Sequence, residues 1–357
     1  VTTLSGALDA ASLPVPTAEL EDWRYSRIAA LDPSAYEVPA GSPAAAAVRG
    51  DAADAFDDVS DAHRADPVVV EVKPGEVRAE PIVLDLADLV DGTATFPHLV
   101  VRAGADSEVT VVVHRSSADV DAVVLPLVEL DVAAAARVRY VEVQRLGGRV
   151  WQLGRLSANV AADATLRIGS IALGGSYART AICCRILGRG ASAELVAMSF
   201  GEADQMHDVR VLMDHVAGNS TSDMLFKGAV AGRSRAVYTG LIHIGKQGAG
   251  SRANQVNRYV TLSEGARAES VPNLEIENND VRCSHASAVG PVDEDQRFYL
   301  ESRGVPSAVA ERLIVLGFFE EVLDRLVLPS GSDLAEVRSE LAGKLDRRDG
   351  KLDRRDA

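Results

Sequence analysis

The sequence predicts a mainly-β chain: a right-handed parallel β-helix, or solenoid, flanked by N-terminal and C-terminal α-helical segments. Three observations predict it. Beyond Pro67 the texture is Val-rich and alternating, in PVVVEVKPG, EVTVVVHRS, ARVRYVEVQRLG, ATLRIGSIALGG, ARTAICCRILG and AELVAMSFG; period-two alternation bounded by Gly, Asn, Asp and Ser marks strands. No amphipathic helical segment separates these runs, which argues against a doubly wound α/β sheet. Turn-like clusters recur near Asp163, Gly190, Gly218, Gly232, Gly248 and Gly265, at steps of roughly 27, 28, 14, 16 and 17 residues, one coil followed by half-coils. An antiparallel sandwich, with turns every 8 to 12 residues or about that, is the alternative. Stacked coils account better for the longer spacing, each burying its inward side chains on its neighbours.

The chain divides into three segments. In residues 1–66, TAELEDWRYSRIAAL (17 to 31) has a Thr N-cap candidate, acidic first-turn residues and Leu20, Trp23, Ile28 and Leu31 at helix-like spacing, predicting a short amphipathic helix. An Ala-, Asp-, Gly- and Pro-rich connector follows, with a candidate helix near Ala44 to Phe56. Residues 67–290 form the β-helix core. In residues 291–357, Val309, Leu313, Leu316, Phe319, Val322, Leu323 and Leu326 share one helical stripe opposite a charged face. This predicts a helical hairpin or small bundle whose stripe must be covered by the solenoid or by another protein. The tail repeats KLDRRD and reads as a solvated helix extension or a disordered end.

Composition narrows the function. The chain has 357 residues, 47% of them hydrophobic, ample for a core. Its net charge of −15, from 52 acidic and 37 basic residues, argues against a nucleic-acid surface, which needs clustered Lys and Arg. The apolar runs are too short to span a membrane, and VTTLSGALDA lacks a signal-peptide profile. Three cysteines make no disulfide framework. A cytoplasmic location is expected.

The chemistry-bearing string is NDVRCSHASAVG, residues 279 to 290, where Cys283 and His285 stand two apart and point to one face if the segment is a strand. Both are good iron ligands, yet two ligands do not complete a site and no Cys-x-x-Cys is present. From spacing alone, polar residues in a turn are favoured over a metal site. A nucleophile–base pair is the competing reading, without a triad or oxyanion signature to support it. Cys183 and Cys184 sit within one alternating strand and read as packing residues. His215 reads as a hydrogen-bonded core histidine, and His243 as a lone strand imidazole. No Gly-x-x-x-x-Gly-Lys-Ser/Thr string occurs, so ATP hydrolysis is not expected of this chain. Carbohydrate-active lyases and hydrolases also use β-helices, which leaves that class as an alternative.

Residues 270 to 323, SVPNLEIENNDVRCSHASAVGPVDEDQRFYLESRGVPSAVAERLIVLGFFEEVL, resemble the C-terminal core of the SufB/SufD family of iron-sulfur cluster assembly proteins. That family's pattern is close to P-x-L-E-I-x-x-x-D-V-x-C-S-H-G-A-T-V-G, an acidic stretch, F-Y-L-x-S-R-G and an amphipathic helix. MHDVRVLMDHVAGNSTSD, FKG, YTG, ANQVN and DWRY carry the resemblance further upstream. Gln255, Val256 and Asn257 lead into Arg258, Tyr259, Val260 and Thr261, without the cysteine that SufB-like chains place there. Cys283-Ser284-His285 has the SufD form, although Ala286 and Ser287 replace the family's Gly and Thr.

The resemblance implies a non-catalytic scaffold subunit of a Suf-type complex, pairing with a SufB-like chain, with a homodimer as the assembly open to it in isolation. It implies a transient iron-sulfur cluster at the heterodimer interface, with His285 and then Cys283 as cluster and metal residues. It also implies docking of SufC, an ABC-type ATPase, on Leu313, Leu316, Phe319, Val322 and Leu323. A purely structural mate of SufB is the remaining alternative.

Overall fold

Alternating side chains give every strand an inward and an outward face, and this chain builds a core on each. The computed structural model describes residues 4–7, 15–17, 19–39, 63, 64, 66–86, 89–326 and 331–352. Its strands are β1 (Leu4–Ala7), β2 (Glu37–Pro39), β3 (Val68–Val72), β4 (Ile82–Asp85), β5 (Thr93–Thr95), β6 (His98–Ala103), β7 (Glu108–Ser116), β8 (Ala122–Val124), β9 (Leu127–Val132) and β10 (Arg137–Arg145). They continue as β11 (Trp151–Val160), β12 (Thr165–Ala172), β13 (Tyr177–Ile186), β14 (Ser192–Gly201), β15 (Met206–His215), β16 (Thr221–Val230), β17 (Arg235–Ile244), β18 (Arg252–Thr261), β19 (Arg267–Ile276) and β20 (Arg282–Gly290). Helices α1 (Glu294–Ser302), α2 (Ser307–Arg325) and α3 (Gly331–Leu352) follow.

From β10 onward successive strands alternate between an eight-stranded sheet, running β4-β7-β10-β12-β14-β16-β18-β20, and a twelve-stranded sheet ending β11-β13-β15-β17-β19. Every pairing in this stack is parallel: Arg137 lies beside Thr165, Thr165 beside Ser192, Ser192 beside Thr221, Thr221 beside Arg252 and Arg252 beside Arg282. This is the parallel solenoid that the alternation and turn spacing predict. Side chains that bond coil to coil, such as Asn159 to Asp131 and Asn254 to Asp223, are 28 and 31 residues apart. One corner of the stack is a column of left-handed residues, Gly75, Asp106, Ala135, Asp163, Gly190, Asn219 and Gly250, with φ from 52° to 77°. All of these but Gly190 donate their amide to the next coil, as from Ala135 to the Ala162 carbonyl at 2.9 Å.

Inward residues such as Val111, Tyr140, Leu166, Cys184, Leu195, Phe226 and Tyr238 fill the lumen. A second core lies outside the eight-stranded sheet, where Val141, Ile171, Met198, Phe200 and Leu225 meet Val315, Phe319, Val322 and Leu323 of α2 and Val337, Leu341 and Leu345 of α3. Gly169 permits the close approach at the end of α2, since a Cβ there would stand 2.5 Å from Leu326 Cδ2. Lys227, almost fully buried on β16, reaches across to the Phe318 carbonyl at 2.7 Å and Glu321 at 2.5 Å. The solenoid's own sheet therefore covers the C-terminal half of the stripe, from Phe319 to Leu326, and leaves Val309 and Leu313 exposed. KLDRRD is likewise not merely solvated: Lys344 and Leu345 are buried, and Lys344 reaches Glu202 at 2.9 Å.

The helix expected over 17 to 31 is replaced by 3-10 turns at Glu21–Trp23, Ile28–Ala30 and Pro33–Ala35. So short a helix is marginal alone, and here Trp23, Ile28 and Leu31 are drawn separately onto the twelve-stranded sheet. Trp23, Ile28, Leu31 and Tyr36 join Trp151, Leu153 and Tyr177 in one cluster. The Arg179 guanidinium lies 3.7 Å over the Trp23 ring and is held by Asp208 at 2.9 Å. Leu20, expected on the same stripe, is 53% exposed. The candidate helix from 44 to 56 and the last residues of the tail lie outside the described residues. Among the described residues no helix is long and apolar enough to cross a membrane.

Candidate functional site

The solenoid stops at β19 and β20. Each has a single strand neighbour in its sheet, β17 and β18 respectively, and most β20 residues are exposed. The path then leaves the stack at Pro291, which has no amide to donate to a ladder. Asp293 caps α1, its Oδ1 accepting from the amides of Asp295 at 2.9 Å and Gln296 at 3.0 Å. The uppermost lumen layer is consequently uncovered among the described residues.

Cys283 and His285 belong to that layer and, as their spacing predicts, share one face of β20. Cys283 pairs with Ala253, His285 with Gln255 and Ser287 with Asn257 on β18. Cys283 packs half-buried against the lumen core. Two residues beyond His285, the Ser287 hydroxyl meets that of Ser270 at 2.7 Å, and Ser270 donates to Asn257 Oδ1 at 2.7 Å, bridging the two sheets across the lumen. This places the Cys283–His285–Ser287 row inward, with His285 exposed because no further coil lies above it. Beside Cys283 an open groove of about 590 Å³ is lined by Asp223, Arg252, Asn254 and Arg282.

Burial pushes the Cys283 thiol up, partly offset by a backbone hydrogen bond with Ala253. It is thus a protonated thiol near neutrality, and binding iron as thiolate must release that proton. Among the described residues no group of three or more His, Cys, Asp or Glu is placed to hold a metal ion. Cys283 and His285 offer two donors where an iron-sulfur cluster ordinarily takes about four.

Cys183, Cys184, His215 and His243 have structural roles. Cys184 is a lumen residue whose burial pushes its thiol up to about 12, and Cys183 is buried on the opposite face. His215 is the hydrogen-bonded core histidine that its context suggests, with Nδ1 2.7 Å from Ser220 Oγ and Nε2 2.8 Å from Ser222 Oγ. Burial pushes its imidazole down to about 4. His243 meets Asp214 at 2.7 Å.

The expected docking stripe needs correction. Phe319 and Val322 are 0% exposed and Leu323 1%, all against the chain's own sheet, so these three are out of a partner's reach in this fold. Leu316 is partly buried in the same cluster. Leu313 alone of the five is half exposed, at 50%; Phe298, Tyr299 and Val309, on α1 and at the start of α2, are exposed as well. Val309 belongs to the predicted stripe but not to the expected docking set, and Phe298 and Tyr299 figure only in the F-Y-L-x-S-R-G string, not as a surface. The available signal was Phe298-Tyr299 in a short acidic helix, too short to bury an aromatic pair on its own.

Sequence reasoning also missed a set of buried polar side chains beneath the open layer. Gln255 and Asn257 are 0% exposed, as is Tyr238. Neither end of the Gln255 carboxamide has a hydrogen-bond partner, nor do Asn257 Nδ2 and Tyr238 Oη. Each such group costs about 1–3 kcal/mol when left unpaired. The signal was the placement of Gln255 and Asn257 at alternate positions between Ala253 and Tyr259, both core residues.

Comparison with known proteins bears on what this end of the solenoid serves. Residues 87–318 match the model of the SUF system FeS cluster assembly, SufBD core domain. The chain is 35% identical over 275 residues to an iron-sulfur cluster assembly SufBD family protein of Mycobacterium tuberculosis, covering 75% of this chain and 67% of that one. A Mycobacterium leprae protein of the same description is 35% identical over 260 residues, 70% of this chain and 65% of its own length. A second Mycobacterium tuberculosis member is 29% identical over 225 residues, 62% of this chain but 27% of that protein. The aligned regions thus span about two thirds of the first two relatives. With the matched core running from the early coils through the Cys283–His285 layer into α2, the chain belongs to the SufBD family of iron-sulfur cluster assembly proteins.

Proposed function

We propose that the chain is the SufD-type subunit of a heterodimer with a SufB-type relative, and that the open end of its solenoid is the joining surface. The observation that carries this is the uncovered final coil: two free strand edges, ready for pairing, surround an inward row holding His285 and Cys283. A partner abutting this end would add the missing thiolate ligands and exclude water from a nascent cluster, which is cargo and not a resident group. His285 is the first cluster residue, with Cys283 its neighbour. The presence of two family members in Mycobacterium tuberculosis supports a pairing of unlike chains over a homodimer. The Cys283-Ser284-His285 string and the absence of a cysteine after Gln255-Val256-Asn257 support the SufD side.

The subunit itself is a scaffold. An ABC-type ATPase of the SufC kind would dock on the C-terminal helices, where Leu313, Val309, Phe298 and Tyr299 are exposed, and supply ATP-driven rearrangement. Membership in an assembly family favours this reading over a carbohydrate-active enzyme, and a cytoplasmic setting accords with its free thiols. The test is co-expression with the SufB-type and SufC-type neighbours, followed by assay of iron and sulfide per complex. His285→Ala should leave the complex assembled yet depleted of both, and Cys283→Ser, which replaces a soft ligand at similar volume, should deplete them to a lesser degree. An intact His285→Ala complex carrying as much iron and sulfide as the parent would refute the site.

A further inference from the structure

We infer that the open end selects its partner by charge: Arg252 and Arg282, side by side on the last two strands of the eight-stranded sheet, form a cationic dock for carboxylates carried by the partner's edge strand. The inference rests on the open end being the joining surface, as proposed above, and adds the chemistry of the chain that it accepts.

The outer face of this sheet shows how such pairs are made within the chain. Its residues align coil over coil with backbones about 4.8 Å apart, so a side chain is answered by its register neighbour or by the next one on the diagonal. At the other end of the sheet Glu108 faces Arg137 at 3.9 Å and takes Arg139 diagonally at 2.8 Å. In mid-stack Arg167 stands beside Glu194 at 3.2 Å, and Glu194 also takes Arg325 of α2 at 2.7 Å. The lane that begins with Glu108 and Arg137 ends with Arg252 and Arg282. There the register neighbour is a like charge. Both residues are exposed, and among the described residues neither guanidinium has a carboxylate partner. Asp223, which lines the groove beside them, is held by Asn254 at 2.8 Å and by Arg325.

Two cations in direct register repel one another in the free subunit, and they do so in a chain whose net charge is −15. A strand added to the β20 edge would continue the lane past Arg282 and set its own side chain one coil spacing away, as Glu108 stands to Arg137 at the far end. An Asp or Glu at that place relieves the repulsion. The planar fork of a guanidinium matches the two oxygens of a carboxylate, and the groove of about 590 Å³ leaves room for a second carboxylate to reach Arg252. Exclusion of water at the joint strengthens both pairs. The β20 strand itself, RCSHASAVG, carries no carboxylate. A second copy of this chain therefore does not answer the dock through that strand, whereas an unlike chain with an acidic edge does.

The test is binding of the full-length chain to its SufB-type relative, followed by biolayer interferometry at about 0.05 M and about 0.5 M salt. The parent should lose about tenfold in affinity across that range, chiefly through slower association. Arg282→Gln should weaken binding about three- to tenfold at low salt, yet the isolated variant should melt no lower than the parent, since a like-charge contact is gone. A residue with only a folding role would move both in the same direction. Arg282→Lys should retain more affinity than Arg282→Gln. Arg282→Glu should lose more, and one Asp-to-Arg or Glu-to-Arg exchange in the partner's edge strand should restore it. Arg252→Gln repeats the measurement at the neighbouring position. Parent-like affinity in Arg282→Glu overturns the dock while leaving the heterodimer standing, and citrate bound by the parent but not by that variant would then assign the pair to a free anion. Absence of any complex with the parent at low salt overturns the joining surface itself and the dock with it.

Discussion

Replacing Phe319 by Ala decides whether α2 belongs to the solenoid or is held for a partner. The ring is 0% exposed, with its centroid 6.2 Å from that of Phe200 on β14 and 5.2 Å from Phe318. Truncating a buried Phe costs about 3–5 kcal/mol from lost transfer energy and the cavity left behind. The upper part of that range is expected here. Phe200 sits in a strand paired on both sides, by β12 and β16, so the floor of the cavity is held by two ladders and cannot move up to fill it. Leu313, half exposed on the same helix, should cost less than about 0.5 kcal/mol when changed to Ala. Urea denaturation followed by circular dichroism measures both, and a double-mutant cycle with Phe200→Ala should give a coupling of about 0.5–3 kcal/mol if the rings share the core. A Phe319→Ala cost below about 1 kcal/mol, with no coupling to Phe200, would refute the packing and return the stripe to a partner.

Leu313→Asp should leave the urea midpoint near that of the parent while abolishing capture of the SufC-type ATPase in a pull-down; retained capture would remove this patch from the docking surface. Ala135, at φ 57° in the left-handed corner, should stabilise the chain by about 1 kcal/mol when changed to Gly, which occupies that conformation without a Cβ clash; a lower melting temperature would contradict this. His207 and His215 are pushed by burial from 6.5 to about 4, so the unfolded chain takes up protons first on acidification. The stability they contribute is full above about pH 6.5 and is lost as pH falls towards 4, by about 2 kcal/mol for each at pH 5. His207→Gln should accordingly flatten the fall in urea midpoint between pH 7 and pH 5, and an unchanged slope would show that this imidazole does not drive it.

The stack was legible because its physics is local. Alternation in ARVRYVEVQRLG and small turn residues at fixed distance are requirements of each coil, visible without knowing the others. Cys283 and His285 were legible as a pair because two residues along a strand is one face. What the sequence hid depends on distance. The stripe of α2 announces an apolar face, but not that Val141, Ile171 and Phe200, more than a hundred residues earlier, present a matching one. The 17-to-31 segment has helical spacing, yet Arg179 and Trp151 compete for its aromatic and basic groups and win. The Gln255 carboxamide looks like any polar strand residue until the register sets His285 over it.

The site's chemistry also depends on the length of the stack. Gln255 and His285 occupy the same lane one coil apart, and they differ in exposure because one lies under a coil and the other does not. One additional coil before Pro291 would seal His285 into the lumen as an ordinary interior residue; one fewer would bring Gln255 to the mouth. Pro291 and the Asp293 cap thus act as a terminator whose position in the count of coils determines which layer faces the partner. Insertions at corners elsewhere change only the outline of the molecule, whereas whole-coil duplication or loss near residue 290 changes the identity of the exposed ligands.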